Sequence, residues 1–163
     1  DPSDGPRAMS QQRLYDTDFY AWTQDQAQKL REVRDNRLDA EHLAEEVADL
    51  GKSELRAVTS HLESLLVHLL KAAYSPANQP RSGWLNEADA HQDLARQAFW
   101  PSMRDKVDLN RLWRRALRQT NRELADYGEA GVAENAPCPF MLDDLLAEDF
   151  DVDAAVARLA SGA

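Results

Sequence analysis

The sequence of 163 residues has no isoleucine, a single cysteine and only six glycines. No four-residue stretch alternates valine or aromatic side chains with polar ones, as a half-buried strand does. Leucine and alanine instead recur at intervals of three and four residues within polar stretches. This pattern predicts an all-α protein. The length and the 43% hydrophobic content predict one domain with one core.

Long apolar runs and paired cysteines are also missing. No stretch approaches the roughly 18 consecutive apolar residues of a membrane-spanning helix, and the N-terminal DPSDGPRAMSQQR lacks the apolar core of a secretory signal. We therefore expect a soluble, cytoplasmic protein without a membrane partner. The lone Cys138 cannot form an internal disulfide, and we interpret it as a small apolar filler beside two prolines rather than a catalytic nucleophile.

Apolar residues follow helical spacing along most of the chain, and one stripe is unusually regular. Its members are Leu55, Val58, Leu62, Leu65, Leu69 and Ala72. We therefore predict an antiparallel helical bundle whose long central helix spans about residues 42–74. The other helices are predicted to start near residue 16, to span 86–99, to run from 101 to 128, and to form a short C-terminal cap at about 142–147.

The same pattern divides the chain into three segments. We expect a flexible N-terminal segment over residues 1–13, an all-helical domain over 14–150, and a tail over 151–163 that is either helical or frayed. Two prolines and a glycine make YSPANQPRSGW a predicted loop inside the domain. Trp84, which ends this stretch, is the tryptophan with the strongest indication of exposure, whereas most of the tryptophans are expected to anchor the core.

Three consecutive residues, Gly51, Lys52 and Ser53, match the end of a nucleotide-binding P-loop. The full motif needs a second glycine five residues earlier, where this chain has Glu46, and it needs a preceding strand. The sequence therefore argues against a phosphate-binding loop. Gly51 is interpreted as a helix glycine that is simply tolerated, marks a bend or permits a close helix contact.

Glu54, His61 and His68 form a heptad-spaced row at the edge of the leucine stripe. His61 and His68 are about 10.5 Å apart along the helix axis, so one metal ion would need ligands from another helix as well. Neither Glu-x-x-His nor His-Glu-x-x-His occurs at any histidine. These three residues are candidate ligands for a divalent metal, with structural packing as the alternative, and no other cofactor is predicted.

The predicted fourth helix carries a row of arginines, here called the arginine ridge. Its members, spaced by four, three and four residues, are Arg111, Arg115, Arg118 and Arg122. Guanidinium groups in such a row suit carboxylates and phosphates. Because the formal net charge is -10 at pH 7, nucleic acid is disfavoured as a partner. An acidic helix face at Glu41, Glu45 and Asp49 predicts pairing within the molecule, self-association or a protein partner instead.

Several ordered segments carry a resemblance to a known family. They are LYDTDFYAWTQDQAQKLR, LDAEHLAEEVADLGKSELRAVTSHLESLLVHLLK, WPSMR and CPFMLDDLLAEDF. Together they resemble the bacterial domain-of-unknown-function family numbered twenty-nine, over about residues 14–150. The resemblance implies an all-helical domain of bacterial origin. It implies no activity, and so it carries over no catalytic residues.

No catalytic motif emerges, since the sequence has no Gly-x-Ser-x-Gly elbow and no recognisable nucleophile. We therefore predict a non-enzymatic protein-interaction or regulatory module, with the arginine ridge as its interaction surface. The alternative is a metal-dependent helical-bundle enzyme that uses Glu54, His61 and His68 with ligands from a second helix.

Overall fold

The computed structural model describes residues 13–162, and this part of the chain contains helices and no strand. Residues 13–17 are helical, and the further helices are α1 (Phe19–Glu32), α2 (Ala40–Tyr74), α3 (Arg81–Ala98), a 3₁₀ helix (Pro101–Lys106), α4 (Leu109–Asp126), α5 (Leu142–Leu145) and α6 (Val152–Ala160). The predicted all-α class and long central helix are confirmed. Within residues 13–162, no helix combines the length and apolar character that crossing a membrane requires.

The chain divides into two compact units, and α2 contributes to both. Of the described residues, the first unit contains those up to Ala57 together with Ala98–Val107. The second contains Val58–Gln97 and the residues from Asp108 onward. The N-terminal part of α2 therefore packs in one unit and its C-terminal part in the other.

In the first unit, Asp18 joins α1 to the 3₁₀ helix. Its Oδ1 accepts hydrogen bonds from the backbone N–H of Ala21 at 2.9 Å and from the hydroxyl of Ser102 at 2.6 Å. Its Oδ2 accepts a third from the backbone N–H of Ser102 at 2.8 Å. The carboxylate thus satisfies an amide at the start of α1, as an N-cap does, and also ties in a second element.

Gly51 lies at a close contact inside the first unit. A Cβ at this position would collide with the side chain of Thr23 on α1. Thr23 is itself fully buried, and its hydroxyl donates to the carbonyl oxygen of Tyr20 at 2.7 Å. Of the alternatives that the sequence left open for Gly51, the structure selects the close helix contact.

In the second unit, the leucine stripe of α2 forms the centre of the core. Its fully buried members are Val58, Leu62, Leu65, Leu69 and Ala72. Glu63 of α2 pairs with Arg115 at 3.2 Å, and Lys71 pairs with Glu123 at 3.0 Å. Because both partners advance by eight residues, α2 and α4 run side by side in the same direction.

The remaining segments of the second unit are held to this core by side-chain bonds to backbone carbonyls. Trp113 Nε1 donates to Ala136 at 2.7 Å, and Gln92 Nε2 donates to Ala147 at 2.8 Å. The last helix, α6, buries four apolar side chains: Val152, Ala155, Val156 and Leu159. For the C-terminal segment, the sequence left a helix and a frayed end open, and residues 152–160 form the helix.

Two predicted boundaries are wrong. Helix α3 begins at Arg81 rather than near residue 86, so part of the predicted loop is helical, and the N–H of Trp84 bonds back to Pro80 at 3.0 Å. The predicted helix 101–128 is two elements, because Asp108 caps a new helix by accepting from the N–H of Arg111 at 3.1 Å. The predicted stop at Gly128 is confirmed by its φ of 68°.

Candidate functional site

Three half-buried histidines meet in the second unit, where α2 and α3 pack together. We call His61, His68 and His91 the histidine cluster. The Nδ1 atoms of His61 and His91 are 3.1 Å apart. The ring of His91 also stacks on that of His68, with 5.6 Å between the ring centroids and 24° between the planes. Helix geometry explains the arrangement, since two turns of α2 separate His61 from His68 and His91 contacts both rings.

The bond between His61 and His91 requires one of the two Nδ1 atoms to keep its lone pair. Burial lowers the pKa of His61, and the neighbouring His91 lowers it further. Burial also lowers the pKa of His91, with a contribution from His68 that is partly opposed by Glu87. The surroundings therefore favour neutral imidazoles, which is the form that binds metal ions.

His68 is oriented by its own helix. Its Nδ1 lies 2.7 Å from the carbonyl oxygen of Ser64, a group that can only accept a hydrogen bond. In the neutral ring the proton is therefore on Nδ1, and Nε2 keeps a free lone pair. A backbone carbonyl that fixes a histidine in this way is common behind metal-binding imidazoles.

The predicted ligands Glu54, His61 and His68 are all half-buried, as expected at the edge of the leucine stripe. Glu54 belongs to the first unit, whereas the histidine cluster belongs to the second. In the part of the chain that the structure describes, no three His, Cys, Asp or Glu side chains are arranged so that they could hold a metal ion. His91 was absent from the predicted set, and the only sequence signal for it was a histidine within a predicted helix.

The arginine ridge lies on the solvent face of α4, and all four arginines are exposed. The opposite face is buried through Leu112, Trp113, Ala116, Leu117, Thr120 and Leu124. Arg115 pairs with Glu63 at 3.2 Å. The guanidinium groups of Arg111, Arg118 and Arg122 have no ion pair or hydrogen bond with any residue in 13–162.

The ridge forms one wall of a groove of about 310 Å³, which Glu63 and Gln119 also line. Four arginines face one glutamate there, so the groove is strongly positive although the chain as a whole is acidic. Guanidinium groups that converge on a concave surface can bind carboxylates or phosphates through paired hydrogen bonds. The predicted interaction surface is therefore part of an open groove that is lined mainly by positive charge.

The structure also shows where the remaining sequence motifs lie. Gly51, Lys52 and Ser53 lie inside α2, so they form no phosphate loop. Glu41, Glu45 and Asp49 are exposed, as expected for an acidic face. Burial raises the pKa of the Cys138 thiol, which lies 3.5 Å from the carbonyl oxygen of Phe140. A raised thiol pKa disfavours the nucleophilic thiolate.

Comparison with known proteins gives a family and a fold. A family model described as "Domain of unknown function DUF29" matches residues 14–151. The crystal structure of an alpha-helical protein of unknown function from Rhodospirillum rubrum is similar, with a TM-score of 0.81 and 36% identity over 89% of this chain and 96% of that chain. No curated protein matches the sequence. The family resemblance noted in the sequence is thereby confirmed.

Proposed function

This chain belongs to the DUF29 family, whose function is unknown, and we propose that it is a non-enzymatic module that binds an acidic protein surface through the arginine ridge. One observation carries the proposal: three of the four ridge guanidinium groups lack an anionic partner among residues 13–162, and they line a groove. The acidic surface would supply the missing carboxylates.

Charge repulsion supports a partner for the ridge. Like charges three or four residues apart on a helix each destabilise it by about 0.2–0.5 kcal/mol, and the ridge contains three such neighbouring pairs. Glu63 relieves the repulsion at Arg115 alone. Carboxylates from a partner would relieve the remainder and form charge-assisted hydrogen bonds.

The charge of the whole chain favours protein over nucleic acid as this partner. A net charge of -10 repels any acidic partner at long range, but a phosphate backbone, with one negative charge per roughly 1.7 Å of duplex, is repelled more strongly than a protein surface with a few carboxylates. The chain itself offers such a surface, since Glu41, Glu45 and Asp49 are exposed on α2. A second copy of this chain is therefore the partner that we propose.

Light scattering tests this proposal directly. We expect wild-type protein to show a mass above that of one chain at high concentration, and Arg118→Glu with Arg122→Glu to return it to the mass of one chain. The matched control is Arg114→Glu with Lys106→Glu, which makes the same charge change at two exposed positions outside the ridge. A monomeric wild type, or equal effects of both double variants, would reject self-association through the ridge.

A metal-dependent role of the histidine cluster is a second candidate function. Two histidine nitrogens bound to one zinc ion in tetrahedral geometry lie about 3.3 Å apart, close to the 3.1 Å between His61 Nδ1 and His91 Nδ1. His68 Nε2 would supply a third ligand only after a change of rotamer, because no three such side chains within residues 13–162 are arranged to hold a metal ion as they stand. Glu54 is the carboxylate that the sequence suggested as a further ligand.

Elemental analysis of protein purified without a histidine tag tests the metal candidate. Near-stoichiometric metal that is lost in both His61→Ala and His91→Ala, but kept in His42→Ala, would support it. Glu54→Ala would then test the predicted carboxylate. Metal-free protein whose thermal unfolding is unchanged by chelators would leave packing as the role of these histidines.

A further inference from the structure

A pocket of about 460 Å³ opens at the C-terminal end of α4 and is separate from both the ridge and the histidine cluster. Its size falls within the range of small-molecule sites, which is about 300–1,000 Å³. The residues that matter here are Lys71, Trp84, Glu123, Asp126, Tyr127 and Glu129. All of them belong to the second unit, so the pocket lies within one compact body.

The walls combine aromatic rings with carboxylates. Trp84 is half-buried and Tyr127 is 79% exposed, so both rings offer a surface to a ligand. Aromatic faces attract cations, and nearby carboxylates strengthen that attraction. Lys71 makes both kinds of contact, because its Nζ lies 5.5 Å from the centroid of the Trp84 ring and 3.0 Å from the carboxylate of Glu123.

Lys71 balances only part of the negative charge. The pocket holds three carboxylates, Glu123, Asp126 and Glu129, against this one ammonium group. The Oε2 atom of Glu129 is buried and has no hydrogen-bond partner among the described residues. A buried carboxylate oxygen without a donor is costly, and a rotation of the Glu129 side chain that brings this oxygen to the N–H group of a ligand in the pocket would remove the cost.

We propose that this pocket binds a small organic cation with N–H donors, an alkylammonium or guanidinium compound. Its charged group lies by Glu129 and Asp126, and its apolar stem lies against the rings of Trp84 and Tyr127. A quaternary ammonium ion fits the aromatic rings but has no hydrogen to donate to Glu129. The apolar walls favour an organic cation over a hydrated inorganic one.

The test uses agmatine, which carries both an ammonium and a guanidinium group, titrated into the full chain at low salt. Binding is followed by NMR through the indole N–H signal of Trp84, assigned with Trp84→Phe. We expect a saturable shift of this signal, and about tenfold or greater loss of affinity in Glu129→Gln, because the substitution keeps an acceptor oxygen but removes the negative charge that strengthens the hydrogen bond. Asp126→Asn, at an exposed position, should also weaken binding.

The control variant is Glu134→Gln, the same chemical change at an exposed position five residues further along the chain. It should bind agmatine like the wild type, and thermal unfolding of every variant confirms that it is folded. Tetramethylammonium should bind more weakly than agmatine. No saturable shift in the wild type, equal affinity of Glu129→Gln and wild type, or stronger binding of tetramethylammonium would overturn the proposal.

Discussion

At the scale of single residues, the histidine cluster brings three imidazole rings into contact. His61 and His91 share one hydrogen bond between Nδ1 atoms, and His68 stacks on His91. Glu87 is the nearest carboxylate to His91, at 3.7 Å, and Glu123 on α4 interacts electrostatically with His68. Protonation of both His61 and His91 would place like charges together in half-buried surroundings.

This arrangement predicts a loss of stability on mild acidification. The folded state lowers the pKa of His61 and His91 below their ordinary value of about 6.5, so the unfolded state binds more protons once the pH falls below that value. The free energy of unfolding from urea denaturation should therefore decrease between about pH 7 and about pH 5.5. His91→Asn should make this decrease smaller.

His42 provides the control, because its shift has the opposite sign. Its exposed ring lies 2.7 Å from Asp39, which raises its pKa. That interaction is fully present below pH 6.5 and is lost as the pH rises through the raised pKa. His42→Asn should therefore leave the acid-induced decrease at least as large. A decrease that is identical in wild type and His91→Asn would contradict the role assigned to the cluster.

Two glycines of α2 and α3 should respond oppositely to the same substitution. The added Cβ of Gly51→Ala would collide with Thr23, so we expect it to destabilise the protein by about 1–3 kcal/mol. At Gly83, in α3, nothing lies within 4 Å of an added Cβ, so Gly83→Ala should stabilise by up to about 1 kcal/mol. Chemical denaturation measures both, and destabilisation by the two variants alike would contradict the close contact.

At the scale of elements, Asp18 is where helix capping and tertiary contact coincide. Asp18→Ala removes the N-cap of α1 and both bonds to Ser102, so we expect a loss of about 2–4 kcal/mol. Asp16→Ala changes an exposed carboxylate two residues earlier and should alter stability by less than about 0.5 kcal/mol. Equal effects of the two variants in urea denaturation would show that a negative charge near the start of α1, rather than the hydrogen bonds of Asp18, stabilises this helix.

Helix α4 has two faces with different surroundings. Its buried face packs in the core, while its exposed face carries the arginine ridge. The spacing of three and four residues separates these faces without any help from tertiary contacts. The pairing of Arg115 with Glu63 is different, because it depends on α2 lying alongside.

At the scale of the whole molecule, the chain is acidic overall and yet carries a basic groove. This contrast predicts that self-association through the ridge weakens with salt, because exposed charges are screened over about 10 Å at 0.1 M and over less at higher ionic strength. The average mass from light scattering should fall as NaCl is raised from about 50 mM to about 500 mM. A mass that rises with salt would point to an apolar interface instead.

The helical class, the course of the long helix and the two faces of α4 were predictable from the sequence. These features follow from local spacing: the stripe from Leu55 to Ala72 and the arginine ridge each repeat within one helix. The N-cap region near Asp18 was predictable for the same reason. Two boundaries were wrong. Helix α3 extends back to Arg81, into the stretch predicted as a loop, and a new helix starts after Asp108 within the stretch predicted as one helix.

The residues that meet across helices were not predictable from the sequence, because their contacts depend on how the helices pack. His91 joins His61 over 30 positions of sequence, and Trp84, Lys71 and Glu129 line one pocket although three different segments contribute them. Helical periodicity gives the direction of each side chain from its own axis but not the neighbour that it faces. Packing of the apolar faces sets that relation, and with it every candidate site that uses more than one helix.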